Sequence, residues 1–327
     1  MADKSKIAWT EATWNPVTGC TKVSEGCRNC YAERVFPRLA SHPGRYSGRT
    51  FTDVRTHDEA LLQPLRWKRP RKIFVNSMSD LFHPDVSDTF IAQVFAVMAI
   101  ARCHTFQILT KRPERLLAFL SRRGYRDPLT GAVEDDEGWA PGSYASGMVR
   151  DVLESLPDER EEFYELTLPE SAWDLPGDPI SFHFPLDNVW LGVSVEDQKT
   201  ADERIPILLQ VPAARRWVSV EPMLGPVSFR WARWQLFNRE TGITNHLDGL
   251  RRLDWIVCGG ESGPHARPMD PDWARNLRGQ CREAGVPFFM KQLSQASGSG
   301  FKKFESFPED LRGREFPEEK VLERKET

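Results

Sequence analysis

Cys20, Cys27 and Cys30 fall within eleven residues, in the stretch NPVTGCTKVSEGCRNCYAERV, at the spacing C-x6-C-x2-C. Thiolates bind soft metals, and a structural zinc site completes itself with a fourth Cys or His. The nearest downstream histidines, His42 and His57, have no ligand-like spacing with a partner. Thiolates are also the usual ligands of iron–sulfur clusters. Three of them on a [4Fe–4S] cluster leave one iron without a protein ligand, open to a small molecule. If that molecule is S-adenosylmethionine, its amine and carboxylate can chelate the iron. The reduced cluster can then pass one electron to the sulfonium, and C–S cleavage gives a 5′-deoxyadenosyl radical. On spacing alone, zinc and a cluster both stay open. Cys103, Cys258 and Cys281 lie scattered in apolar or helical patterns, where buried free thiols are common.

The elements that must position these thiols are legible as a rhythm. Six short β-rich runs end in polar or glycine residues: Lys72 to Asp80, Thr105 to Pro113, Asn188 to Glu196, Arg215 to Met223, Leu253 to Gly263 and Val286 to Leu293. Such runs suit the cores of parallel strands. Helical patterns lie between most of them. SDTFIAQVFAVMAIARC has Ser87 or Asp88 as its N-cap; RPERLLAFLSRR and DERIPILLQVP follow later runs. DPDWARNLRGQCREAG is capped by Asp270 and closed by Gly285. With the cysteine segment as a first strand or loop, about seven β/α units result. The expected fold class is α/β, a full or partial TIM-like barrel with six or seven parallel strands. No GxGxxG follows the first run, which weighs against a dinucleotide fold.

In such a barrel the site forms where strands run into their following loops. Those positions hold Asn76, Ser77, Ser79 and Asp80; Thr110, Lys111 and Arg112; Ser194 and Glu196; Ser219 and Glu221; Glu261 and Ser262; Lys291 and Gln292. Together they favour a polar ligand pocket. Glu261, within GGESG, either faces substrate or pairs with Arg267. Cys258, just before that turn, is either a hydrogen-atom donor to a product radical or a buried structural thiol.

The barrel is expected over 1–293, interrupted by an acidic, Pro/Gly-rich insertion at 124–185 with a short helix near Tyr144 to Leu156; a charged tail follows at 294–327. The chain has 327 residues, 40% hydrophobic and 28% charged, with a formal net charge of −3, so no global basic excess advertises nucleic-acid binding. No apolar run approaches the roughly 20 residues of a membrane span. The N-terminus lacks a secretory apolar region. A cytoplasmic protein with reduced thiols is expected.

The segments WNPVTGCTKVSEGCRNCYAE, FVNSMSDLFH, LTKRPERL, NVWLGVSVEDQ, VSVEPMLGPV and GGESGPHARPMDPDW resemble a phage- and bacteria-associated three-cysteine family of unknown function. The cysteine loop is also similar to that of radical S-adenosylmethionine enzymes, whose commonest spacing is C-x3-C-x2-C. In site pattern the chain resembles spore photoproduct lyase, a DNA-repair radical enzyme. That resemblance implies cofactor contacts from Ser79, Asp80, Lys111 and Ser194. The chemistry is consistent with it. The Lys111 ammonium suits the methionyl carboxylate, Asp80 the amino group, Ser194 the carboxylate or ribose, and Glu196 the ribose hydroxyls. Tyr31 either stacks near the adenine or packs in the core. Arg112, Glu221, Ser262, Lys291 and Gln292 are left for substrate.

The resulting expectation is a radical enzyme that needs an external electron donor and acts on a nucleic-acid base or nucleotide. The nucleic-acid part also draws on two basic groups: Arg66, Lys68, Arg69, Arg71 and Lys72 around Trp67, and Lys111, Arg112 and Arg115 at a strand end. Two other readings stand beside it. One is a non-catalytic, metal-stabilised, phage-type DNA-associated binding protein. The other is a barrel hydrolase using Glu196, Glu221 and Glu261.

Overall fold

Strand β6 (Val189–Val195) is buried at every position, as a parallel strand covered on both faces must be. The computed structural model describes residues 5–121, 185–229, 250–294 and 304–317, with the backbone of 234–237 and 244–247. Within it, β6 is the fourth of seven parallel strands that follow one another in chain order. The others are β1 (Ala12–Trp14), β4 (Lys72–Val75), β5 (Thr105–Thr110), β7 (Arg215–Val220), β10 (Trp255–Gly259) and β11 (Phe288–Gln292). Two small antiparallel pairs stand apart: β2 (Val17–Thr18) with β3 (Arg55–Thr56), and β8 (Trp234–Phe237) with β9 (Thr244–Leu247). The expected partial barrel is thus present. Its first strand lies ahead of the cysteines, which occupy the following loop.

Trp9 demonstrates the curl of the sheet. Its ring lies 4.8, 5.2 and 6.2 Å from those of Phe74, Trp217 and Trp255, which sit on β4, β7 and β10. One residue touches three separated strands only if the sheet wraps around it. β1 and β11 do not pair, so the half-barrel is open.

Period-two alternation divides each strand between two cores. On β6, Val189, Leu191, Val193 and Val195 face the helices, and Trp190 joins Trp9, Trp217, Trp255, Val257 and Phe289 inside. Gly192 faces inward beside them, because a Cβ there would lie 2.6 Å from the Trp217 ring. The floor of the half-barrel is therefore an aromatic plug, and the polar positions are left to the strand ends above it.

Helices fill the crossovers. α1 (Tyr31–Ala40) begins directly after the cysteines, and the short α2 (Asp58–Leu61) follows β3. α3 (Asp88–Ile100) is apolar nearly all round and buried from Phe90 to Ile100 with one exception, Gln93; α2 lies against it. Its Ser87 hydroxyl accepts from Phe90 N at 3.2 Å. α4 (Pro113–Ser121) follows β5. α5 (Gln198–Leu208) starts earlier than its apolar pattern suggests, because Asp197 and Thr200 form a reciprocal capping box. α6 (Pro271–Ala284) is capped by Asp270 and ends at Gly285 with φ 70°, as its sequence predicts.

The insertion expected at 124–185, apart from Pro185, lies outside the described residues. Of the tail, 304–317 docks against the barrel: Phe307 and Leu311 are buried, and Glu315 O accepts from Trp255 Nε1 at 2.8 Å. No described helix is long and apolar enough to cross a membrane.

Candidate active site

The cysteine loop is fixed at its start by the turn that follows β4. Asn76 takes a left-handed conformation (φ 62°), tolerated by Asn, and its Oδ1 accepts from Val17 N at 3.2 Å. Ser79 Oγ donates to Val17 O at 2.8 Å, and Gly19 N donates to Met78 O at 3.1 Å. Gly19 has φ 90° and abuts the Asp53 carbonyl, so a side chain there would collide with backbone. These bonds deliver Cys20 to the mouth.

Cys20 then meets Arg112, whose Nη1 is 3.6 Å from its sulfur. The same guanidinium donates to Asp80 Oδ2 at 2.9 Å and to the Thr21 carbonyl at 3.0 Å. Asp80 is buried and saturated. It also accepts from Thr110 Oγ1 at 2.8 Å, Phe82 N at 3.0 Å and Lys111 N at 3.1 Å. Burial, with the Asp80 charge, pushes the Cys20 thiol up to about 11, against the pull of Arg112. Burial likewise raises the Cys30 thiol, while the Glu33 and Ala32 amides at the start of α1 favour its thiolate. Cys27 ends a short turn, with Ser24 Oγ 4.0 Å from its sulfur.

The rest of the loop crosses the mouth to the far strands. Asn29 Nδ2 donates to Glu261 Oε2 at 2.9 Å beyond β10. Arg34 donates to the Ser262 carbonyl at 3.0 Å, and Arg267 to the Glu25 carbonyl at 2.9 Å. Arg267 also clasps Glu261 through its backbone N (2.8 Å), Nε (3.0 Å) and Nη2 (2.6 Å). Burial pushes the Glu261 carboxyl up, but these donors outweigh it and hold it below the usual carboxylate range. In mid-loop, Gly26 rests on Glu196, so that a Cβ would overlap the carboxyl group.

Beneath the loop, inner-facing strand ends carry paired charges. Lys111 bonds Glu196, and Lys291 bonds Glu221. Glu196 is 1% exposed and also receives Arg204 Nη1 at 3.2 Å on each oxygen; the same nitrogen donates to Ser194 O at 2.7 Å. Gln292 Nε2 donates to Gly260 O at 2.6 Å. Ser194 and Ser219 are register partners on β6 and β7, and the buried Ser219 Oγ has no protein partner.

The sequence-predicted residues thus divide. Cys20, Asp80, Lys111, Arg112, Ser194, Glu196, Glu221, Glu261, Lys291 and Gln292 surround one mouth. Ser79 and Ser262 serve it from behind, through backbone contacts. Tyr31 is 58% exposed, which excludes core packing. Cys258 is fully buried on the opposite face of β10, among the helix-side core, 3.7 Å from Met223 Sδ. Arg66 to Lys72 leads into the start of β4 and therefore lies at the opposite end of the barrel from the mouth. Glu261 takes the second of its two expected roles, pairing with Arg267; Arg204, Asn29 and Gly26 were not legible as site residues. Arg204 carried one signal, an arginine inside the apolar run of α5.

Three thiols on one loop beside an arginine suit a soft metal or cluster chemically. Among the described residues, no three Cys, His, Asp or Glu side chains are drawn together as a cage. No curated protein and no solved structure matches the chain. A family model described as "Protein of unknown function (DUF5131)" matches residues 4–320, and the chain belongs to that family.

Proposed function

We propose that this protein is a radical S-adenosylmethionine enzyme acting on a nucleic-acid base or nucleotide, with a [4Fe–4S] cluster held by Cys20, Cys27 and Cys30. One observation carries the reading: the three-cysteine loop leaves β1 and spans the polar mouth of an open parallel half-barrel. When bound, the cluster and S-adenosylmethionine supply a 5′-deoxyadenosyl radical, given an electron from an external donor. The chain's own groups bind and orient. Arg112 stabilises the Cys20 thiolate. Asp80 fixes Arg112 and the Lys111 backbone, so that Lys111 points inward. The Lys111 ammonium would take the methionyl carboxylate in exchange for Glu196, while Arg204 holds Glu196 in place for ribose hydroxyls. Ser194 lies one strand nearer the substrate side, where Glu221, Lys291 and Gln292 are grouped. Glu261 steadies the loop through Asn29. The reducing cytoplasm suits such thiols.

The test is anaerobic reconstitution with iron and sulfide, then reduction with dithionite in the presence of S-adenosylmethionine. A cluster EPR signal and 5′-deoxyadenosine are expected. A protein that takes up only zinc, and forms no 5′-deoxyadenosine, would falsify the reading.

The web of bonds that ties Asn29, Arg34 and Glu25 to Glu261, Ser262 and Arg267 favours one rival, a metal-stabilised binding protein without catalysis. In that case Cys20→Ala lowers stability, and Lys111→Ala leaves S-adenosylmethionine titrations unchanged.

A further inference from the structure

We propose that the end of the half-barrel opposite the mouth is a docking surface for the phosphate backbone of nucleic acid. Arg66, Lys68 and Arg69 are exposed there, on the lead into β4, with Arg71 and Lys72 half-buried behind them. The lead into β5 adds Arg102, also exposed. Backbone contacts make these two leads one surface. Thr105 N donates to Arg71 O at 2.9 Å, and His104 Nε2 bonds Pro64 O at 3.1 Å. The Arg71 guanidinium lies 5.0 Å over the buried Trp67 ring, which stiffens the segment that presents the charges.

The same end continues past β6 to Arg251 and Arg252, exposed just before β10. From β4 to β10 is four strand spacings, roughly 19 Å, enough to meet several phosphates. The acids at this end are fewer. They are the exposed Glu11, which accepts from Lys72 N at 2.7 Å, Asp254, which accepts from Arg216 N at 2.8 Å and pairs with Arg215, and the exposed Asp187 and Glu315. A chain with net charge −3 has concentrated basic groups here. Guanidinium and ammonium groups on one face neutralise phosphates and release counterions, without reading sequence. The surface needs neither the cysteine loop nor any ligand of the mouth.

The experiment is fluorescence anisotropy of a short labelled single-stranded DNA with the full-length, metal-free protein at several salt concentrations. Wild type should bind with a steep salt dependence. The Arg66→Glu/Lys68→Glu/Arg69→Glu variant should bind at least about tenfold more weakly at low salt. Its slope of log K against log salt should fall by about two. The corresponding triple Gln variant should fall between, and thermal unfolding of both checks that they fold. Cys103 is exposed on the lead into β5, so DNA should slow its alkylation by iodoacetamide in wild type and not in the Glu variant. Equal affinity and slope in wild type and both triples overturns the proposal, as does binding lost in Lys291→Ala but kept in the triples. Because the protein is metal-free, success or failure here is independent of the radical reading.

Discussion

Gly26 in the cysteine loop rests directly on the Glu196 carboxyl group at the end of β6, with no room for a Cβ between them. Glu196 cannot yield easily, because Lys111 and Arg204 both hold it. Loop and mouth are therefore mechanically coupled. Gly26→Ala should lift the loop or displace the carboxylate, costing about 1–3 kcal/mol in a packed site. Urea unfolding measures that cost. On the proposed function, 5′-deoxyadenosine formation should fall by an order of magnitude or more, and an unchanged rate would uncouple the two.

Arg204 is the buried cation paired with Glu196 at 3.2 Å. Arg204→Met strands that carboxylate and the Ser194 carbonyl. Removing one member of a buried pair costs roughly 3–5 kcal/mol, here softened by Lys111. Chemical denaturation should show a lower midpoint, and Arg204→Lys should recover part of it. A midpoint equal to wild type would mean that Arg204 carries no buried charge.

Cys258 and the clustered cysteines should separate in experiment. Cys258→Ala removes a thiol from the helix-side core, and stability should drop by about 1 kcal/mol. Bound iron per chain should not change. Cys20→Ala, Cys27→Ala and Cys30→Ala should each abolish stable iron binding. Loss of iron in Cys258→Ala with normal folding would place that thiol in the metal site.

His57 and His104 give a pH dependence of stability. Burial pushes both below the ordinary histidine value of 6.5. The unfolded chain therefore takes up protons at a pH where the folded chain does not. Stability is full above pH 6.5 and is lost as pH falls from there through the folded values. Denaturation midpoints at pH 7.5 and pH 5.5, roughly one unit either side of that value, should differ. Replacing both histidines with Gln should shrink the difference, with the remainder carried by His83, which burial also pushes down.

Gly192 tests the aromatic floor. Gly192→Ala sets a methyl against Trp217 at 2.6 Å, and overpacking of this kind costs about 1–3 kcal/mol. Tryptophan fluorescence should shift with the midpoint, since Trp9, Trp190, Trp217 and Trp255 share one cluster.

The sequence by itself determined the parallel strands, most of the helices and the polar character of the strand ends. Apolar alternation, caps and glycine stops are local properties, so they can be read locally. Ser87, Asp270 and Gly285 act where their residue types suggest. α1 was not legible, although Ala32, Val35, Phe36, Leu39 and Ala40 form a helical stripe, because Pro37 interrupts it and the cysteines directly before it suggest a loop. The early start of α5 was hidden in a capping box of polar residues.

Tertiary structure alone decided which strand ends meet, and with what partners. Asp80 and Lys111 read as free ligand groups in the sequence, yet one is saturated by Arg112 and Thr110 and the other is paired with Glu196. Charge pairing over such separations depends on the curl of the sheet, which no local pattern encodes. Strand parity turned Cys258 away from the mouth, and strand direction set Arg66 to Lys72 at the opposite end from Lys111. The three cysteines were visible at once. That their loop crosses the mouth to Glu261 and Arg267 follows only from folding, because Asn29 and Glu261 are 232 positions apart.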